Sequence, residues 1–347
     1  PAMRDKQQLL LVDGSGYIFR AFHALPPMIR GDGTPVNAVY GFTAMLMKLI
    51  DDMQPDHVAV VFDVARKTFR SDIYPDYKAN RSEPPQELVP QFALVREATA
   101  ALTLPAVELA GFEADDMIAT YAAAAEAARL ATTIVSSDKD LMQLVRGDVT
   151  MLDPMKQRRI GAPEVIERFG VPPEKVVDVQ ALAGDSTDNV PGVPGIGIKT
   201  AAELITTYGD LETLLARADE IKQPKRRENL LNFAEQARIS RQLVLLRDDA
   251  PMPLALDALK TPARDMDRLI AFLQQQDFKR LLVRVGAGGA APQHGTAGAP
   301  VAGTAVRSMA SSPAPQQTAT VTSDAAPDQP LPAVEARYQL ITELADL

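Results

Sequence analysis

Nine acidic residues fall where the pattern of the chain would gather them. Three apolar runs each close on aspartate: Leu9-Leu10-Leu11-Val12-Asp13, Val58-Ala59-Val60-Val61-Phe62-Asp63 and Thr132-Thr133-Ile134-Val135-Ser136-Ser137-Asp138-Lys139-Asp140. Gly111-Phe112-Glu113-Ala114-Asp115-Asp116 opens a helical stretch on three acids, and Gly184-Asp185-Ser186-Thr187-Asp188-Asn189 adds two more. Glu113 and Asp116, three apart, share one face of a helix start, where the helix dipole favours negative charge. Asp138 and Asp140, two apart, point the same way on an extended chain. So many carboxylates cannot stay ionised side by side without a strong counter-charge, and a divalent-metal site is the economical explanation. Mg²⁺ prefers oxygen ligands, keeps several waters and takes one or two carboxylates per ion beside substrate phosphates. Nine acids therefore imply two or more ions, some held through water. Helix capping or strand-end solvation explains any one of these aspartates, but not four acidic segments at one edge.

The elements that must position these acids follow from the periodicity. Continuous apolar runs read as buried parallel strands, and in an open parallel sheet the ligand site lies beyond the carboxyl ends of the strands. Residues 1–173 alternate such runs with helical stretches at 39–52, 86–102 and 114–130, and a further strand is expected at 150–152: the α/β pattern. Between Asp63 and Gln86 the alternation lapses into a partly helical excursion above the sheet, containing Tyr74-Pro75-Asp76-Tyr77-Lys78-Ala79-Asn80-Arg81. Residues 174–285 read as short helices only. Within them Pro191-Gly192-Val193-Pro194-Gly195-Ile196-Gly197-Ile198-Lys199-Thr200 precedes a helix over 201–208. Free backbone N–H groups ahead of a helix make an anion nest; an ordinary helix-to-helix turn is the alternative. Residues 286–333 have linker composition, and 334–347 resume strand-like patterning, so the chain is expected to be cut from a longer protein. Pro1-Ala2 ahead of Met3 reads as a cloning remnant.

Composition sets broader bounds. A chain of 347 residues suggests about two domains, and 46% hydrophobic residues suffice for a core. The absence of cysteine excludes disulfides, thiolate zinc sites and cysteine nucleophiles, and fits a reducing cytoplasm. Histidines only at 23, 57 and 294 disfavour a histidine-based centre. No apolar stretch reaches the roughly 18 residues of a membrane helix, and no leader suggests secretion. The net charge of −9 argues against a polyanion partner only until its distribution is considered. Basic residues cluster apart from the acids, at Arg66, Lys67, Arg70, Lys78 and Arg81, and at Lys222, Lys225, Arg226, Arg227, Arg238 and Arg241. An acidic metal centre flanked by basic patches suits phosphate-backbone chemistry.

Leu11-Val12-Asp13-Gly14-Ser15, Tyr74 through Arg81, Gly111 through Asp116, Ser137-Asp138-Lys139-Asp140 and Gly184 through Thr200 together resemble the 5′-nuclease domain of the bacterial DNA polymerase I family, within the flap endonuclease family. The match runs in order from residue 4 to about 285. It implies a doubly wound α/β fold, its sheet mainly parallel, with a helical arch, followed by an all-α helix–three-turn–helix domain with a helix-hairpin-helix. Tyr338 onward resembles the first strand of a proofreading-exonuclease-like domain. The resemblance further implies that Asp13, Asp63, Glu113, Asp115 and Asp116 form a tighter Mg²⁺ cluster, and Asp138, Asp140, Asp185 and Asp188 a looser one, with Mn²⁺ able to substitute. Arg20, Lys78 and Arg81 would be catalytic phosphate-steering residues, with Tyr77 stacking near the scissile nucleotide. Gly192, Gly195, Gly197, Lys199 and Thr200 would hold duplex backbone, with a K⁺ ion at the hairpin. The implied activity is two-metal 5′-3′ exonuclease and flap endonuclease cleavage of DNA. It would leave 5′ phosphates and 3′ hydroxyls, and would remove flaps and RNA primers for a monomeric polymerase in replication and repair. A non-catalytic DNA-binding module would gain nothing from so complete a carboxylate set, and a small ribonuclease would lack residues 174–285.

Overall fold

All three aspartate-terminated runs become strands, and they lie side by side. The computed structural model describes residues 6–65 and 67–287. Arg66, all but the first two residues of the expected linker, and the strand-like segment from Tyr338 lie outside the described residues. The sheet comprises β1 (Gln8–Asp13), β2 (His57–Val61), β3 (Ala106–Val107), β4 (Ala131–Val135), β5 (Val149–Asp153) and β6 (Arg158–Ile160). Their order is β3-β2-β1-β4-β5-β6, parallel except for β6, which pairs antiparallel with β5. The helices are α1 (Gly14–Ala24), α2 (Asn37–Met53), α3 (Phe69–Ile73), α4 (Gln91–Ala101), α5 (Ala114–Ala127), α6 (Ala162–Phe169), α7 (Val176–Ala183), α8 (Ile198–Tyr208), α9 (Leu211–Ala216), α10 (Pro224–Asn232), α11 (Ala234–Val244), α12 (Met266–Gln275) and α13 (Lys279–Arg284).

The sheet is buried on both faces, which is why its strands read as unbroken apolar runs. Leu9 and Leu11 of β1 pack with α5 in one core layer, while Leu10 and Val12 face α1, α2 and α4 in the other. The chain leaves β1 toward β2 and β3 on one side and places β4 and β5 on the other. The crevice between the ends of β1 and β4 is thus the topological switch point, where such sheets hold ligands.

Four expectations shift. The helix expected from Gln86 begins at Gln91, because residues up to Pro90 form turns; the residue before a proline avoids the helical region. α1 was not anticipated, although Asp13 caps it by accepting the Gly16 amide at 2.8 Å. The excursion expected as a helical arch holds one five-residue helix, α3, and is otherwise turns. Finally, α12 and α13 do not stay with the helical part: Phe272 and Phe278 join the α2–α4 layer, and the Phe278 ring meets Tyr40 edge-on at 5.2 Å. No helix among the described residues is long and apolar enough to cross a membrane.

Candidate metal centre and nucleic-acid interface

The sheet supplies three carboxylates from its carboxyl edge. Asp13 ends β1, where its Oδ2 accepts the Ser136 hydroxyl at 2.7 Å, tying the ends of β1 and β4 together. Burial pushes its pKa up to about 6, against the Gly16 amide and Ser136 hydroxyl, with Asp138 and Asp63 adding to the rise. Asp63, just past β2, is exposed and accepts the Ala114 amide at 2.8 Å, so the end of β2 meets the N-terminus of α5. Asp138 is exposed after β4 and accepts the Asp140 amide at 2.9 Å.

The first turn of α5 separates three acids by their partners. Asp115 has no ion-pair contact among the described residues; burial, then Asp138, Asp13 and Asp63, raise its pKa well above the usual carboxylate range, against the charge of Lys78. Glu113 receives Lys78 Nζ at 2.7 Å, the Tyr77 hydroxyl at 3.3 Å and the Thr68 hydroxyl at 3.3 Å. Asp116 is wholly buried and fully engaged. Its Oδ1 accepts Arg70 Nη2 at 2.8 Å and the Arg247 amide at 2.9 Å; its Oδ2 accepts Arg70 Nη1 at 2.7 Å and the Glu113 amide at 3.0 Å. No lone pair remains for an ion, so the structure moves Asp116 from the expected metal cluster to the framework. Arg70, assigned on sequence to a basic patch, is likewise buried; it also donates to the Leu243 carbonyl at 2.7 Å. A buried arginine needs this pairing, and a bidentate carboxylate matches its fork.

Of the remaining acids, Asp140 lies in the turn after β4, and Asp185 and Asp188 come from the helical part. Asp140 accepts Gln180 Nε2 of α7 at 2.6 Å; burial and Asp138 raise its pKa, against Lys139. Asp185 pairs with Lys139, whose ammonium holds that carboxyl below its ordinary range although burial works the other way. Asp188 accepts Arg81 Nε at 3.1 Å and lies 3.6 Å from Lys78 Nζ. Lys78 and Arg81 therefore do reach the acidic edge, across the gap between Glu113 and Asp188. Arg20 on α1 carries a buried Nη1 with no hydrogen-bond partner. Tyr77 does not fit its expected role. Its ring packs among Val177, Val190, Leu243 and Val244 and its hydroxyl points at Glu113 and Asp188, so no face is offered to a base. Arg70, Lys139, Ser136 and Gln180 escaped sequence reasoning. Lys139 lay inside the acidic motif, and Arg70 in a basic run for which neutralising a buried acid was an equally available role.

The glycine segment joins α7 to α8. Gly192 is buried, and a Cβ there would meet the Gly184 nitrogen at 2.5 Å; its lack of a side chain serves packing, not an approach to DNA. Gly195, at φ +77°, and Gly197 and Lys199 are exposed, with Thr200 half-buried, at the N-terminus of α8. The Gly192 and Pro194 carbonyls already accept side-chain amides from Gln236 and Asn229, at 2.7 and 2.8 Å.

Among the described residues, no three carboxylates close to direct coordination distance around a single point. The donor set nonetheless fits a hydrated hard cation. It is all oxygen, and Asp13, Asp63, Asp115 and Asp138 face one another with no ion-pair partner among the described residues. Mg²⁺, which keeps much of its hydration, suits such a spacing.

The comparisons agree with this architecture. The 5′-3′ exonuclease N-terminal resolvase-like domain family matches residues 8–170, and the 5′-3′ exonuclease C-terminal SAM fold matches 171–267. DNA polymerase I of Rhizobium leguminosarum is 58% identical over 291 residues, covering 82% of this chain and 29% of the relative. The chain spans about a third of the length of the curated relatives it matches. Among solved structures, T5 5′-exonuclease with divalent zinc ions bound aligns with a TM-score of 0.60 at 24% identity, over 78% of this chain and 99% of that one. The catalytic core of Rad2 in complex with DNA substrate aligns with a TM-score of 0.53 at 14% identity, over 81% and 93%. Both likenesses concern the fold.

Proposed function

Because the chain belongs to the 5′-3′ exonuclease family, we propose that its acidic sheet edge is a Mg²⁺-dependent centre that cleaves DNA at 5′ flaps and single–double strand junctions, RNA primers in hybrids included. One observation carries the reading. At the switch point of the sheet, Asp13, Asp63, Asp115 and Asp138 have no ion-pair contact among the described residues, with only the field of Lys78 reaching Asp115, while the neighbouring acids are paired with Arg70, Lys78, Arg81 and Lys139. The divalent ions of the T5 enzyme and the DNA of the Rad2 core support it.

Bound Mg²⁺ would supply electrostatic polarisation of the scissile phosphate and a nucleophile at neutral pH. The chain's own residues do the rest. Glu113 and Asp188 hold Lys78 and Arg81 at the rim, where their charge meets the phosphate without further reorganisation. Arg20 would add a donor to a phosphate oxygen only by turning its guanidinium outward, since its Nη1 is buried. The exposed hairpin from Gly195 to Thr200 presents amides at a helix N-terminus to duplex phosphate, with K⁺ as a bridging ion. Residues 1–173, with α12 and α13 packed against them, would carry the chemistry and the helices from 174 to α11 the duplex grip, as the nuclease portion of a bacterial, cytoplasmic DNA polymerase.

The test is a Mg²⁺ and Mn²⁺ titration against an end-labelled flap duplex. Expected is cation-dependent release of the flap with a 5′ phosphate on the cut strand and a 3′ hydroxyl on the product. Bound DNA that stays intact at millimolar cation would overturn the reading in favour of a binding module.

A further inference from the structure

We infer that Gln180 is a positioning residue for the metal centre, orienting Asp140 from the helix that leads into the DNA-facing hairpin. The inference rests on the metal-dependent reading above and names a residue that reading does not use. Gln180 lies on α7, 2% exposed, in a helix whose other side chains are aliphatic apart from the ion-paired Asp178. A buried primary amide must be hydrogen-bonded or it destabilises the fold. Its Nε2 donates to Asp140 Oδ1 at 2.6 Å, whereas its Oε1 is buried with no hydrogen-bond partner among the described residues. Packing alone would be served better by leucine. The amide instead spends its one bond on a carboxylate at the acidic edge, and leaves an acceptor of the kind that the retained waters of Mg²⁺ satisfy. Partners of this sort fix a ligand's orientation and typically change metal affinity or activity about 10–100-fold when removed.

The position of α7 gives the bond a second consequence. The helix is clamped to the helical part by Asp178, which accepts Arg241 Nε at 2.8 Å, and the Val193 amide of the hairpin donates to the Leu182 carbonyl of α7 at 2.7 Å. Gln143, in the turn after Asp140, donates to the Val244 carbonyl at 2.9 Å. Asp140 and the hairpin are thus joined by one rigid helix, and Gln180 is the point where that helix grips the carboxylate. Seating duplex on the hairpin would be felt at Asp140 through this amide.

The experiment measures Mg²⁺ binding by calorimetry, without activity, on wild type, Gln180→Met, Asp140→Ala and the double variant, with and without a non-cleavable flap duplex. Gln180→Met keeps length and apolar contact and deletes the bond; Gln180→Leu replaces it should the methionine variant not fold. Expected is a rise of about tenfold in the Mg²⁺ Kd, flap affinity in KCl and EDTA unchanged, and loss of the enhancement that duplex gives to Mg²⁺ binding. In the Asp140→Ala background the substitution should change nothing further. A wild-type Mg²⁺ Kd in Gln180→Met, or an equal effect with and without Asp140, overturns the inference and leaves the metal reading intact. Absence of any Mg²⁺ binding to wild type overturns both.

Discussion

The carboxylates of the sheet side and those of the helical side look alike in sequence and differ in what answers them. On the sheet side, Asp13, Asp63 and Asp138, joined by Asp115 from α5, repel one another, and burial or mutual charge raises Asp13 and Asp115. On the other side, Asp185 and Asp188, with Glu113 and Asp116, are each tied to a lysine or arginine. In the metal-free fold the acids with protein cations are partly neutralised, Asp140 beside Lys139 at 3.3 Å among them, whereas the acids without an ion-pair partner repel one another and leave the strongest call for an ion. A strained, uncompensated cluster is tolerated where function requires it.

The sharpest way to break this contrast is Asp116→Ala. It strips the buried Arg70 of its bidentate partner and leaves only Glu113, at 3.8 Å, to answer its charge, which should cost about 3 kcal/mol of stability. Chemical unfolding would read it, and a Tm within a degree of wild type would return Asp116 to the metal cluster. Asp115→Asn should do the reverse. Single-turnover cleavage should fall about 10²–10³-fold, the scale of losing one preorganised electrostatic contact, while the metal-free Tm holds or rises because a repelling charge is gone. Cleavage near wild-type rate at saturating Mg²⁺ would sink the assignment.

Lys78→Ala touches both classes, since Lys78 pairs with Glu113 and Asp188 while its charge also reaches Asp115. Its single-turnover rate should drop about 10–100-fold with little change in flap affinity. An equal drop in affinity with an unchanged rate would make it an ordinary backbone contact. Gly195→Val should weaken duplex binding about tenfold. Space is not the obstacle, since a Cβ would lie 3.8 Å from the nearest atom, but valine resists φ +77°. Affinity measured against KCl in Ca²⁺ checks it, and an unaltered curve moves the grip toward Lys222 to Arg241. The smallest effect concerns pH. With Asp13 near 6, a proton occupies it as pH falls and must leave when the cation binds, so Mg²⁺ affinity should be about halved at pH 6 relative to pH 8. Calorimetry in buffers of differing ionisation heat would detect the released proton; a flat profile would show Asp13 to be ionised throughout.

Local pattern was enough for the frame of the site. The runs ending at Asp13, Asp63 and Val135, and the acidic start of α5, were legible because a doubly buried parallel strand has an unmistakable apolar signature and its carboxyl end is where the chain turns toward ligand. The glycine hairpin before α8 was legible for a similar reason, since φ > 0 and a helix start leave marks within a few residues. Which cation meets which acid left no such mark. Arg70 reaches Asp116 across 46 residues, Lys139 reaches Asp185 across 46, and Arg81 reaches Asp188 across 107. Charge pairing depends on distance and desolvation in the folded chain, and neither has a periodicity to read. Residue types and spacing therefore located nine carboxylates at one edge of one sheet. Only tertiary packing divided them, because it alone decides which are buried beside a lysine or arginine and which face one another across the crevice.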